Sequence, residues 1–167
     1  MARILIVAGG ARGRSLATEL REDGHAVRIT TRSEAGRPAI EAAGAECWIG
    51  TPDRVASLRY ALDGVTLVCW LLGTACGEAE RVAALHGSRL EFFLSQTIDT
   101  TVRGLLYEAA GSVDAHTLAA GAELVTQRTT YNEIPLRVLD ADPLEQEGWR
   151  AQALRAIAEL LEPRAGG

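Results

Sequence analysis

Residues 7–15 read VAGGARGRS, with Gly9, Gly10 and Gly13 directly behind an apolar run. A turn of this composition between a strand and a helix exposes backbone N–H groups that can cradle a phosphate. Set without gaps against the GxGxxG pattern of dinucleotide binders, Ala8, Gly10 and Gly13 stand at the three glycine places. Gly10 then lets the backbone approach a diphosphate, and Gly13 lets the helix pack closely on the strand. Gly9 supplies the turn that alanine at position 8 does not. Ala8, Gly9, Gly10, Ala11, Arg12 and Gly13 are therefore the predicted cradle. A side chain folded back into that hollow, Arg12 for instance, would close it to a dinucleotide.

The second strand-like segment ends in Ile29-Thr30-Thr31-Arg32-Ser33, and no acid appears before Glu34. NAD binders place an acid there, about 20 residues past the glycines, to hold the ribose 2′-hydroxyl. An arginine fork instead matches a 2′-phosphate. Thr31, Arg32 and Ser33, with Arg12 or Arg14 in support, point to NADP(H), with NAD as the alternative. Gly73 and Thr74, beyond the fourth strand, should line the same crevice. Tyr107 could donate a proton there and Glu108 accept one, given shifted pKa values. The competing reading is a packed tyrosine and an acid held by a neighbouring arginine.

These residues need a scaffold, and its elements are legible. Arg3 to Ala8 is short, apolar and β-branched, as a buried parallel strand should be. Further strands are predicted at 26–31, 45–49, 65–72, 102–107 and 135–139. Helices run from the glycines to Gly24, from Pro38 to Gly44, from Thr51-Pro52-Asp53 to Gly64, and from 114 to 131. Ser88-Arg89-Leu90-Glu91 and Asp142-Pro143-Leu144-Glu145 read as capping boxes that open two more. Trp149, Ala153, Ile157, Leu160 and Leu161 form the core face of the last helix. Six strands alternating with helices predict an α/β fold, a doubly wound parallel sheet of Rossmann-like type. It is expected as a single domain over 1–163, with a frayed tail at 164–167.

The bulk numbers narrow the partners. The chain has 167 residues, a net charge of −5 and no lysine, so all 17 basic residues are arginine. That excludes a Walker-type phosphate loop, a lysine Schiff base and a lysine general base. The acidic balance argues against general nucleic-acid or anionic-membrane binding. No apolar run is long enough to span a bilayer and no secretory signal is read, so a cytoplasmic protein is expected. Cys47, Cys69 and Cys76 suit reduced thiols, with Cys69 and Cys76 as buried small hydrophobes. His25, His86 and His116 read as isolated surface histidines, and no metal site is expected. Trp70 reads as core or as a wall beside the nicotinamide.

The motifs VAGGARG and ITTRS resemble the NAD(P)-binding domain of atypical and extended short-chain dehydrogenase/reductases, including NmrA-like proteins. So do Gly44-Ala45-Glu46, Gly50-Thr51-Pro52-Asp53, Ala61-Leu62-Asp63-Gly64-Val65 and VRGLLYEA. The resemblance covers most of residues 1–111 and implies a Rossmann fold, a nicotinamide cofactor and oxidoreductase ancestry. The departures are specific. The loop does not follow the family's TGxxGxxG. Its YxxxK pair has no counterpart, since Gly111 stands four places after Tyr107 and Pro135 four after Tyr131. The family serine is displaced to Ser112, whose expected role is capping the next helix. Extended members add a C-terminal substrate domain beyond the region resembled here. A homodimer could complete the pocket, with Trp149 and Leu161 on the last helix as its contact. Three functions stay open. They are an NADP(H)-dependent reductase using Tyr107 or a partner's residues, a non-enzymatic cofactor-sensing or partner-binding module, and a site for another nucleotide or nucleotide-sugar.

Overall fold

Arg3–Ala8 (β1) carries Ile4, Leu5, Ile6 and Val7 with no exposed surface. A strand buries every side chain only when both faces are covered, so β1 belongs in the middle of a sheet. The computed structural model describes residues 1–163 and places it there; the tail expected at 164–167 lies outside the described residues. Ala26–Thr31 (β2), Glu46–Ile49 (β3), Leu67–Leu71 (β4), Gly104–Glu108 (β5) and Leu136–Leu139 (β6) complete the sheet. Its order is β3-β2-β1-β4-β5-β6 and every pair is parallel. This is one α/β domain of Rossmann-like architecture.

Helices Gly10–Glu22 (α1), Arg37–Ala42 (α2), Ala79–Leu85 (α3), Ser88–Thr97 (α4), Ala115–Tyr131 (α5) and Gln146–Leu161 (α6) connect the strands. Side chains alternate across the sheet with period two. Ile4, Ile6, Cys69 and Leu106 pack with Leu16 and Leu20 of α1 and with Trp149 and Ile157 of α6. Leu5, Val7, Trp70 and Tyr107 enter the opposite layer with Leu58, Phe93 and Val125. Trp70 is a core residue: it packs 4.9 Å from the Phe93 ring and donates its N–H to the Leu85 carbonyl.

Local caps account for the departures from expectation. Thr51 accepts from the Asp53 N–H within its own turn, so the expected third helix becomes a 3-10 helix confined to Val55–Leu62. The first capping box does not form: Gly87 is the N-cap of α4, and Glu91 pairs with Arg128 of α5. Asp142 accepts from the Leu144 N–H in a turn, which delays α6 until Gln146. Asp114, not Ser112, caps α5, because its carboxylate accepts from the His116 N–H. The short α3 had no expectation. Trp149 is 2% exposed and belongs to the core, so it is not available as a dimer contact. Among the described residues, no helix is long and apolar enough to cross a membrane.

Candidate functional site

β1 ends where three successive residues take positive φ: Ala8 at 66°, Gly9 at 90° and Gly10 at 55°. Gly9 makes the turn as expected, but Ala8 shares it, and the Ala8 N–H donates to Thr30 Oγ1 at 3.1 Å. A Cβ on Gly13 would lie 3.1 Å from the Ala8 carbonyl oxygen, so Gly13 does let α1 pack against the strand. At Gly10 a Cβ would meet nothing within 4 Å; that position opens onto a cleft. α1 has no side-chain cap and no acid in its first turn. Its first N–H groups, orphaned in any helix, and the positive end of its dipole thus face an unobstructed hollow.

The cleft, about 500 Å³, lies over the C-terminal ends of β1 to β4. Ala8 to Arg12, Thr31, Arg32 and Thr74 line it as expected. Arg32 is exposed at its rim, its Nη2 3.6 Å from Asp53 Oδ2. Asp53 and Arg81 were not anticipated as site residues. Arg81 grips both Asp53 oxygens at 2.7 and 2.8 Å and, with the smaller influence of Arg32, holds that carboxyl below its ordinary pKa. Two guanidinium groups around one carboxylate leave the rim cationic. Cys76, expected to be buried, is exposed and lines the cleft; Cys69 is buried, and burial pushes its thiol pKa up.

Other expected members lie elsewhere. Gly73 is outside the cleft and gives its N–H to Glu108 Oε1 at 2.9 Å. Ser33 is exposed beyond β2 and does not line it. Arg12 turns away from Arg32, so it does not support a 2′-phosphate there. Its Nη2 donates to Glu108 Oε1 at 2.6 Å, its Nη1 donates to Thr74 Oγ1 at 3.0 Å, and its guanidinium lies 5.1 Å from the centre of the Trp149 ring.

Tyr107 and Glu108 are adjacent in β5 and so point to opposite faces of the sheet. Neither has exposed surface and neither lines the cleft. Tyr107 Oη lies 2.6 Å from His86 Nδ1, in space that only a glycine at 121 leaves free. His86 Nε2 lies 2.9 Å from the Leu72 carbonyl, an acceptor, so Nε2 carries the proton and Nδ1 accepts from the tyrosine. Burial lowers the His86 pKa and raises that of Tyr107. His86 is thus a core histidine, not the surface residue expected. On the other face, Trp149 Nε1 donates to Glu108 Oε2 at 2.7 Å. Burial raises the Glu108 pKa, against the pull of Arg12, the Gly73 N–H and Trp149. All three partners donate, so the site is built for a carboxylate.

A parallel sheet of order 3-2-1-4-5-6 with its glycine turn at the point where the order reverses defines the Rossmann-like class of doubly wound folds. No family model matches the chain, and no curated protein matches it. Solved structures do. UDP-glucuronic acid 4-epimerase from Bacillus cereus, in complex with NAD, shares the fold at 13% identity and a TM-score of 0.68, over 84% of this chain and 55% of that one. Vestitone reductase from alfalfa (Medicago sativa) does so at 16% identity and 0.62, over 84% and 56%. A putative NAD-dependent epimerase/dehydratase from Bacillus halodurans does so at 14% identity and 0.67, over 85% and 71%. The chain spans about half the length of the epimerase and the vestitone reductase. At these identities the likeness establishes the fold.

Proposed function

We propose that the chain binds a nicotinamide dinucleotide, NADP(H) in preference to NAD(H), as a module of the atypical, NmrA-like short-chain dehydrogenase/reductase type. The observation that carries this is the uncapped start of α1 opening, at Gly10, onto a cleft rimmed by Arg32. Ala8 to Gly13 would hold the diphosphate, and Arg32, with Thr31, the 2′-phosphate. When bound, such a cofactor supplies a hydride donor or acceptor; this chain supplies backbone donors and guanidinium charge. Titration calorimetry with NADPH and NADH should show tighter NADPH binding. Absence of binding for both at about millimolar concentration would remove the proposal.

A non-enzymatic cofactor-sensing module is favoured over a reductase by one feature: both candidate proton-transfer groups, Tyr107 and Glu108, are enclosed in the core. Reductase turnover that disappears in Tyr107→Phe, with cofactor affinity retained, would reverse that preference. A homodimer and a cytoplasmic setting remain part of the same proposal, and sedimentation of the full chain tests the first.

A further inference from the structure

Arg12 divides the rim of the sheet into two unequal spaces. Over the ends of β1 to β4 lies the cleft of about 500 Å³; on the α6 side is a pocket of only about 90 Å³, lined by Ser15, Gln146, Trp149 and Arg150, and Arg12 borders both. Its guanidinium ties the first turn of α1 to Thr74, after β4, and to Glu108, at the end of β5. Beyond that strap the loops after β4 and β5 close on each other. The Gly73 carbonyl accepts from the Val113 N–H at 3.1 Å. A Cβ on Gly73 or Gly111 would collide with the other loop's backbone, at 2.0 Å from the Ala110 carbonyl or 2.1 Å from the Gly73 carbonyl. In a doubly wound sheet the two halves of a dinucleotide lie on either side of the switch point, over β1–β2–β3 and over β4–β5–β6. Here the open cleft reaches the end of β4, and no residue of β5 or β6 lines it.

Resting on the reading above, we propose that the cleft is a half-site. With Arg12 strapped to Glu108, Thr74 and Trp149, it takes the adenosine diphosphate part of a nucleotide and excludes the second nucleoside. The strap is also releasable. Arg12 Nε is buried without an acceptor, and a solvated guanidinium would not forgo that bond. A ligand that carried the second nucleoside into place would have to draw Arg12 away from Glu108, leaving a fully buried carboxylate with two donors instead of three.

Calorimetry on the full chain tests this with ADP and NAD+, a pair without a 2′-phosphate and so independent of Arg32. The expected result is dissociation constants within about fivefold of each other, because the nicotinamide half gains no contacts. NAD+ binding more than fivefold tighter than ADP would overturn the half-site while sparing dinucleotide binding. Binding of neither at about millimolar concentration would overturn both. In Arg12→Ala/Glu108→Gln, where no charge is left unpaired, NAD+ should gain about tenfold or more over ADP. Should that variant not fold, 5-fluorotryptophan NMR of the unmutated chain gives a second readout. The Trp149 resonance should stay in place with ADP and with NAD+ alike, and a shift with NAD+ that ADP does not produce would overturn the half-site.

Discussion

The two halves of the sheet's C-terminal rim are built from similar residue types to opposite ends. Over β1, β2 and β3 the polar groups are exposed and under-paired: first-turn amides without a cap, and Arg32 with one carboxylate at 3.6 Å already gripped by Arg81. Over β4, β5 and β6 they are enclosed and paired: Glu108 takes three donors, and Tyr107 and His86 satisfy each other. Substitution should therefore affect binding on the first half and folding on the second. Titratable groups with shifted pKa values are a common guide to function, yet here burial shifts Tyr107, Glu108 and His86 on the closed half, while on the open half ion pairing shifts Asp53 and Arg81.

The sharpest break in that contrast comes from Glu108→Ala. It strands the Arg12 guanidinium, on a side chain only 16% exposed, and frees the Trp149 and Gly73 N–H groups. A loss of about 3–5 kcal/mol is expected, as for a buried pair that loses one partner. Denaturant melts measure it; a loss below about 1 kcal/mol would show that the cluster is hydrated in solution. Gly121→Ala comes next, because its Cβ would sit 2.0 Å from Tyr107 Oη. About 1–3 kcal/mol should be lost, as in over-packed cores, and Tyr107→Phe should recover part of it.

A pH dependence sharpens the same half. The His86 pKa is below its ordinary 6.5 in the folded chain, so the unfolded chain takes up that proton first. Stability from His86 is full above about pH 6.5 and falls as the pH drops through its lower folded value. Glu108 works the other way. Its folded pKa is raised, so its stabilising share is full below the unfolded value and is lost as the pH rises through the folded one. Unfolding midpoints measured from pH 7.5 down to 5 should thus decline less steeply in His86→Gln than in the parent chain. An unchanged slope would mean that His86 titrates normally.

How much of this was legible depends on whether the signal was local. Strand alternation and the glycine stops needed only periodicity and backbone freedom: β1 and β2 fall on the expected residues, and Gly24, Gly44 and Gly64 take the positive φ of helix ends. The glycine turn between β1 and α1 was legible for the same reason. What failed needed a partner distant in sequence. Arg12 looks like a phosphate ligand until Glu108, 96 residues on, claims it. His86 reads as a surface residue because the tyrosine that buries it lies 21 positions away. Asp53 was assigned to a helix start, and only Arg81, 28 residues later, draws it to the cleft rim. Local misreadings also occurred, at the caps and at β5, which runs Gly104–Glu108 rather than 102–107, so that Glu108 lies in the strand back to back with Tyr107 and not in a loop.

The smallest expected change in stability is the one most informative about the open half. Arg32 has a side chain 69% exposed and one loose ionic contact, so Arg32→Ala should alter stability by no more than about 0.5 kcal/mol. Its effect on ligands should be selective. A guanidinium bond to a phosphate is charge-assisted, and at an exposed rim it is worth about 1–1.5 kcal/mol, or roughly tenfold in affinity. NADPH binding should weaken by about that factor while NADH binding stays within about twofold, so the preference between them narrows or vanishes. Because Asp53 remains gripped by Arg81 in the variant, a general collapse of the rim would not produce that pattern. If both cofactors weakened equally, Arg32 would be serving the diphosphate, and the 2′-phosphate would have to find its charge at Arg81.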